Sequence, residues 1–109
     1  MSVQIFGKAK CFDTKKAERF FKERGVKYQY VDLLRYGISM GELKSVRAAA
    51  GSIEALLSDK EDVSGVTWLS FEQDKLEKLY DDPRLLKTPI VRNGKRAAVG
   101  HMPEMWEKL

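Results

Sequence analysis

The 109 residues include one cysteine, one histidine and three prolines, and each scarcity excludes something. A lone Cys11 permits neither an internal disulfide nor a multi-cysteine zinc site. His101 adds too little to hold a transition metal, so no metal is expected. No apolar run approaches the roughly 18 residues that span a bilayer. The start, Met1-Ser2-Val3-Gln4, lacks the charged-then-apolar order of a secretory signal, so the expectation is a cytoplasmic protein with no membrane association. Internal repeats, linkers and low-complexity segments are also missing, and the length suits one domain, expected to be a monomer.

The composition, 43% hydrophobic and 33% charged, is that of a chain that folds. Its net charge of +4 is unevenly spread. Residues 1–40 carry nine Lys/Arg against four Asp/Glu, residues 41–85 six against ten, and residues 86–109 five against two. The basic residues are not gathered with aromatics along one element, so nucleic acid is not an expected partner. Two basic ends around an acidic middle suggest terminal pieces that assemble into one unit, with the middle inserted between them.

The pattern of residues supports that division. Val3–Gly7 is short, β-branched and aromatic, as in a buried strand. From Asp13 or Thr14, Ala17, Phe20 and Phe21 form the apolar stripe of a helix that Gly25 stops. Lys27–Asp32 alternates as a second strand, parallel to the first. In the middle, Ser39-Met40-Gly41-Glu42 predicts a capping box, with Leu43, Val46 and Ala50 facing inward and Gly51 as the stop. A short helix over Ser52–Leu57 and a loop over Ser58–Val66 follow. Ser70-Phe71-Glu72-Gln73 predicts a second capping box and a helix with Leu76, Leu79 and Tyr80 in the core, ended by Asp82-Pro83. Leu86–Arg92 then reads as a strand entered through Thr88-Pro89. Asn93-Gly94 marks a hairpin, Arg96–Gly100 returns, and Met102, Met105, Trp106 and Leu109 give a closing helix that packs on the core. The fold class is α/β, with a βαβ…ββα core of thioredoxin type and a helical insert over about residues 39–82.

Within that arrangement Cys11 joins the first strand to the first helix. A thiol there meets unpaired backbone N–H groups and the positive end of the helix dipole, which favour the thiolate. Lys8, Lys10, Lys15 and Lys16 add positive charge. Thr14, one turn on, is placed to offer a hydroxyl to the sulfur, and no second cysteine is available to resolve a disulfide. A small apolar residue buried between strand and helix accounts equally well for Cys11. Thr88-Pro89 stands where a cis-proline would lie beside the cysteine, although few X-Pro bonds are cis. Among the basic residues of the last hairpin, Lys87, Arg92, Lys95 and Arg96, the foremost anion-binding candidate is Arg92, three residues past Pro89. His101 is a candidate base or anion donor, against the commoner role of a hydrogen-bonded corner histidine.

Gly7-Lys8-Ala9-Lys10-Cys11-Phe12-Asp13-Thr14-Lys15-Lys16-Ala17, Val31-Asp32, Ser39-x-x-Glu42-Leu43, Thr88-Pro89-Ile90-Val91 and Asn93-Gly94-Lys95 through Val99-Gly100 resemble the arsenate reductase (ArsC) family over essentially the whole chain. The similarity is greatest to its short Spx- and YffB-like branch. The resemblance implies a thioredoxin-like domain with an inserted helical subdomain, whose Cys11 thiolate attacks an oxyanion or a disulfide. Arsenate-reducing members surround the thiolate with three arginines. Here those positions fall on Thr88, on Ser58, and near Gly100 or His101, so the main electrostatic stabilisation of an oxyanion is missing and arsenate reduction is not expected. Spx-type regulators bind RNA polymerase and carry Cys-x-x-Cys. Cys11-Phe12-Asp13-Thr14 excludes that intrachain switch and leaves glutathionylation open.

The favoured expectation is a thiol oxidoreductase with no bound cofactor, in which Cys11 attacks, Thr14 assists, and glutathione or a glutaredoxin releases the product. Lys10, Thr88, Pro89 and Arg92 would bind substrate or glutathione, the co-substrate. The alternative is a non-catalytic, redox-sensitive regulatory module that binds a protein partner such as RNA polymerase.

Overall fold

A computed structural model describes residues 3–109; Met1 and Ser2, half of the start read above for a secretory signal, lie outside the described residues. β1 (Val3–Gly7) runs up the middle of the sheet. It is joined through α1 (Phe12–Glu23) to β2 (Tyr28–Asp32), which lies parallel to it with Val3 opposite Tyr28 and Gly7 opposite Asp32. On its other side β1 pairs antiparallel with β3 (Ile90–Asn93), and β3 pairs antiparallel with β4 (Arg96–Val99). The resulting order, β2-β1-β3-β4, is a mixed four-stranded sheet of thioredoxin type.

Because side chains alternate along a strand, the two central strands feed two separate cores. Val3, Ile5, Val91 and Ala98 face α1, where they meet Ala17, Phe21 and Trp106. Phe6, Ile90 and Ala97 face the insert, where they meet Leu33, Leu43, Val46, Leu56 and Leu79. The second core is the larger, and it fixes the insert against the sheet.

The insert begins with a turn not foreseen from the sequence, α2 (Leu33–Tyr36), where the Asp32 carboxylate accepts the Leu34 N–H at 3.2 Å. α3 (Met40–Ala50) has the expected capping box: Ser39 Oγ accepts from Glu42 N and Glu42 Oε1 from Ser39 N, both at 3.1 Å. Gly51, at φ +90°, ends it in a conformation that favours glycine. A 3-10 turn over Glu54–Leu56 stands where the Ser52–Leu57 helix was expected. α4 (Ser64–Thr67), α5 (Glu72–Asp81) and a 3-10 turn over Pro83–Leu85 complete the insert. An isolated antiparallel bridge, Leu57 with Leu86, ties its two ends together.

Several expectations are corrected here. The second capping box does not form: α5 starts at Glu72 with Phe71 in the cap position and no side-chain cap, so Ser70 lies one residue too early to serve. Tyr80 is exposed, because α5 buries only the narrow seam of Leu76 and Leu79. The Ser58–Val66 loop gives way to a turn of helix from Ser64, where Asp62 Oδ1 accepts the Ser64 N–H at 3.0 Å and Val66 is fully buried. β3 starts at Ile90 rather than Leu86, since Leu86 pairs with Leu57 and Pro89 has no N–H to give a ladder. The hairpin loop is Gly94-Lys95, with Asn93 closing the ladder opposite Arg96.

The last helix, α6, is the single turn Pro103–Trp106. Met102 and Met105 are exposed and only Trp106 of the expected stripe is fully buried, edge-on to Phe20. Beyond that turn, Lys108 O accepts from Arg96 Nη1 at 2.8 Å and Leu109 O from Asn93 Nδ2 at 3.2 Å, drawing the final residues onto the hairpin.

Candidate active site

Cys11 is the N-cap residue of α1, with extended backbone at φ −91° and ψ 115°. Its own N–H is bonded to Lys8 O at 3.0 Å, and its carbonyl accepts the first helical bond, from Lys15 N at 3.3 Å. These bonds fix the thiol at the mouth of the helix, where the N–H groups of the first turn have no partner further back in the chain. The side chain is half-buried, which is neither the core position of the bland reading nor free exposure.

Two threonines flank the sulfur. Thr14 is 1% exposed and stands one turn along α1, while Thr88 is buried and arrives from the strand entry, bonded to Pro89 through a cis peptide. The thiol proton points at the Thr88 carbonyl, with Sγ to O at 3.7 Å. Burial pushes the Cys11 pKa up. The hydroxyls of Thr14 and Thr88, with the backbone N–H groups of Thr14 and Asp13, favour the thiolate more strongly, and the net direction is down from the ordinary thiol value.

The thiol opens into a cleft of about 730 Å³ whose walls include Lys8, Lys10, Ser58, Lys60, Lys87 and His101. Of the two lysines nearest in sequence, Lys10 is exposed and lines the cleft, whereas Lys8 turns inward, its Nζ donating at 2.9 Å to both Arg84 O and Leu86 O. Burial lowers the Lys8 pKa, against the opposing pull of Glu61 and the Cys11 thiolate. Thr88, Ser58, Gly100 and His101, where the resemblance places an arginine cage, all line this cleft, so the cage positions converge but carry hydroxyls and an imidazole. Among the described residues no group of His, Cys, Asp or Glu is arranged to hold a metal.

Arg92 is not part of the site. Its register opposite Gln4 places it toward the far end of β1, where Nη1 donates to Gln4 Oε1 at 2.8 Å and lies 4.0 Å from Glu42 Oε2. Three residues beyond Pro89 on an extended strand carry the side chain roughly 10 Å along the sheet, away from the end where Cys11 sits. Lys95 and Arg96 also lie away from it, around a second hollow with Lys108 and Leu109. Pro89 is buried behind Thr88, and its carbonyl accepts the Gly100 N–H at 2.8 Å. His101 is exposed on the cleft rim and packs edge-on against Trp106, 5.3 Å between ring centroids.

The sequence pattern missed the opposite rim, Ser58-Asp59-Lys60-Glu61. No periodicity marks a loop of that kind. Its one signal was Ser58 at a position where the resemblance expects an arginine. No described helix is long and apolar enough to cross a membrane.

Comparison with known proteins follows the same outline. Residues 6–109 match the model of the ArsC family. The chain is 32% identical, over 106 residues, to the global transcriptional regulator Spx 2 of Oceanobacillus iheyensis, a match covering 93% of this chain and 78% of that protein. A solved structure of an ArsC family related protein from Bacteroides fragilis superposes with a TM-score of 0.87 at 22% identity, over 99% of this chain and 97% of that one. The arsenate reductase from Vibrio cholerae gives 0.85 at 23% identity, over 99% and 97%. At those identities the two structures speak for the fold.

Proposed function

The chain belongs to the ArsC family, and from that membership we propose a single-cysteine thiol–disulfide oxidoreductase in which Cys11 is the nucleophile and an external thiol, glutathione or glutaredoxin, regenerates it. The observation that carries this reading is a half-buried sulfur on the N-cap residue of α1, 3.7 Å from the Thr88 carbonyl, with Thr14 and Thr88 drawing its pKa down. A thiol whose pKa is drawn down in that way supplies more of the nucleophilic thiolate than an ordinary cysteine does.

The reaction balances in two exchanges. The Cys11 thiolate attacks one sulfur of a disulfide, the S–S bond breaks, and the other half leaves as a thiolate that takes a proton from water. A glutathione thiolate then attacks the mixed disulfide, releasing the Cys11 thiolate and leaving the bound half as a disulfide with glutathione. Lys10 on the cleft wall meets the carboxylates of the incoming thiol, and Thr88 stands beside the sulfur. Arsenate is not the substrate proposed: Ser58, Thr88 and His101 supply too little positive charge for an oxyanion.

The test is turnover of a small-molecule disulfide with glutathione as reductant, comparing wild type with Cys11→Ser. Activity that disappears in the variant supports the reading, and activity that the variant retains removes it.

A second reading rests on the 32% identity to a transcriptional regulator. In it the same thiol, glutathionylated rather than turning over, tunes the binding of a protein partner such as RNA polymerase. Affinity capture with RNA polymerase would distinguish the two, since the regulatory reading requires capture that glutathionylation of Cys11 alters.

A further inference from the structure

The Lys8 side chain lies three residues before the nucleophile, yet its ammonium is spent on backbone carbonyls more than seventy residues away. Around the Leu57–Leu86 bridge, Ser58 N–H is bonded to Leu85 O and Lys87 N–H to Leu56 O, both at 2.8 Å. The alternate carbonyls of the same stretch, Arg84 O and Leu86 O, accept from Lys8 Nζ. The backbone of Lys8 is committed as well: its N–H points at Thr14 Oγ1 at 3.4 Å, and its carbonyl accepts the Cys11 N–H at 3.0 Å. One residue is therefore joined to the nucleophile, to the hydroxyl beside it, and to the segment that delivers the second hydroxyl at Thr88, two residues past Leu86.

We propose that Lys8 is the positioning residue of this site, a strap that holds the Leu86–Thr88 segment against the Cys11 loop so that Thr14 and Thr88 are both kept beside the sulfur. The proposal rests on the reading of Cys11 as a working thiolate, and it assigns the tuning of that thiolate to a group that acts through Thr14 and the segment bearing Thr88. Four donors and acceptors meet through a single side chain and its peptide groups, and a bound ammonium satisfies two carbonyls that a shorter or uncharged residue would leave to water. Charge acts in the same direction as geometry. Lys8 interacts with the Cys11 thiolate and Glu61, and is opposed by Lys60 and Arg84, so its removal takes away a favourable cation along with the strap.

The experiment compares wild type, Lys8→Met, Lys8→Gln and Lys8→Arg. Alkylation rates of Cys11 by iodoacetamide are followed from pH 5 to 10, with thermal melts to establish folding. The expected result is a reactivity midpoint that rises by about one pH unit in Lys8→Met, that is, about tenfold less thiolate at pH well below the midpoint. Lys8→Arg should restore the wild-type profile and Lys8→Gln should fall between. A purely structural role would lower the melting temperature and leave the midpoint in place, which overturns the proposal. If Lys8→Met does not fold, the Lys8→Gln and Lys8→Arg profiles decide alone, and coincident midpoints in wild type, Gln and Arg overturn it. A wild-type midpoint at the ordinary thiol value would instead refute the thiolate reading. The strap is then judged by the Thr88 amide resonance in a Cys11→Ser background, which must move on Lys8→Met if the strap exists and overturns it if unmoved.

Discussion

Gly7 and Thr14 compete for one volume: a Cβ added at Gly7 would overlap Thr14 Cγ2 and lie 3.0 Å from both Thr14 Oγ1 and Tyr30 Cε1. Gly7 ends β1, opposite Asp32 of β2, so its backbone is not free to retreat. The missing side chain leaves room for the buried Thr14 to stand against the end of the strand.

Gly7→Ala is therefore expected to destabilise the fold by about 1–3 kcal/mol, the usual cost of overpacking, and to slow Cys11 alkylation as Thr14 is displaced. Thr14→Ser removes the offending methyl and keeps the hydroxyl. In a double-mutant cycle read by urea denaturation, Gly7→Ala should cost less in the Thr14→Ser background than alone. Equal costs in both backgrounds would show that the two residues do not share the space.

Thr14→Val preserves shape and deletes the hydroxyl. A hydrogen bond to a charged acceptor is worth about 1.5–3 kcal/mol, so alkylation of Cys11 at neutral pH should fall on the order of tenfold while Thr14→Ser stays near wild type. The pH profile separates this from a packing effect, since its midpoint must move upward. An unmoved midpoint would assign the thiolate to Thr88 and the helix terminus.

The depressed Cys11 pKa also predicts how stability depends on pH. Between the folded and unfolded pKa values the unfolded chain binds more protons, so stability rises with pH across that interval. The stabilisation is fully present above the unfolded value of about 8.5 and is lost as pH falls through the lower folded value. Urea melts of wild type and Cys11→Ser should thus give a difference in unfolding free energy that grows in favour of wild type from acidic pH toward pH 9. A difference that is flat or shrinks over that range contradicts the depressed pKa.

Arg92→Met tests the separation of structure from chemistry. The change keeps the aliphatic stem and removes both the bond to Gln4 and the guanidinium that faces Glu42. A loss of about 1 kcal/mol in stability is expected, with Cys11 alkylation and disulfide turnover unchanged. Loss of turnover at full stability would restore Arg92 as a substrate-binding group.

Arg92 also shows where sequence reading runs out. Its residue type and its distance in sequence from Pro89 both suited anion binding, but which end of a strand a residue occupies depends on cross-strand register, and the pairing of Arg92 with Gln4 is a contact 88 positions apart. Cys11 and Thr14 were legible because helix starts and one-turn spacings are local. So was Ser39 with Glu42, where each side chain completes the other's backbone bond. Ser70 failed in the same pattern, because the register of α5 follows Leu76 and Leu79 and those residues put Phe71 at the cap. Met102 and Met105 repeat at helical spacing, yet the side-chain bonds of Asn93 and Arg96 take the chain end out of the helix before the stripe can be buried. Lys8 was visible only as nearby charge, since nothing local announces a bond to Arg84 and Leu86.

The bridge between Leu57 and Leu86 lies at the margin of the larger core, which buries Leu86 and packs against Leu57, and its position divides the cleft. Cys11 and its threonines are anchored by the sheet and α1. The rim over residues 58–61 follows that bridge, held at its start by the Ser58 N–H bond to Leu85 O and exposed from Asp59 onward. Substitutions at Asp59, Lys60 and Glu61 therefore reshape the cleft wall while leaving both packed cores in place.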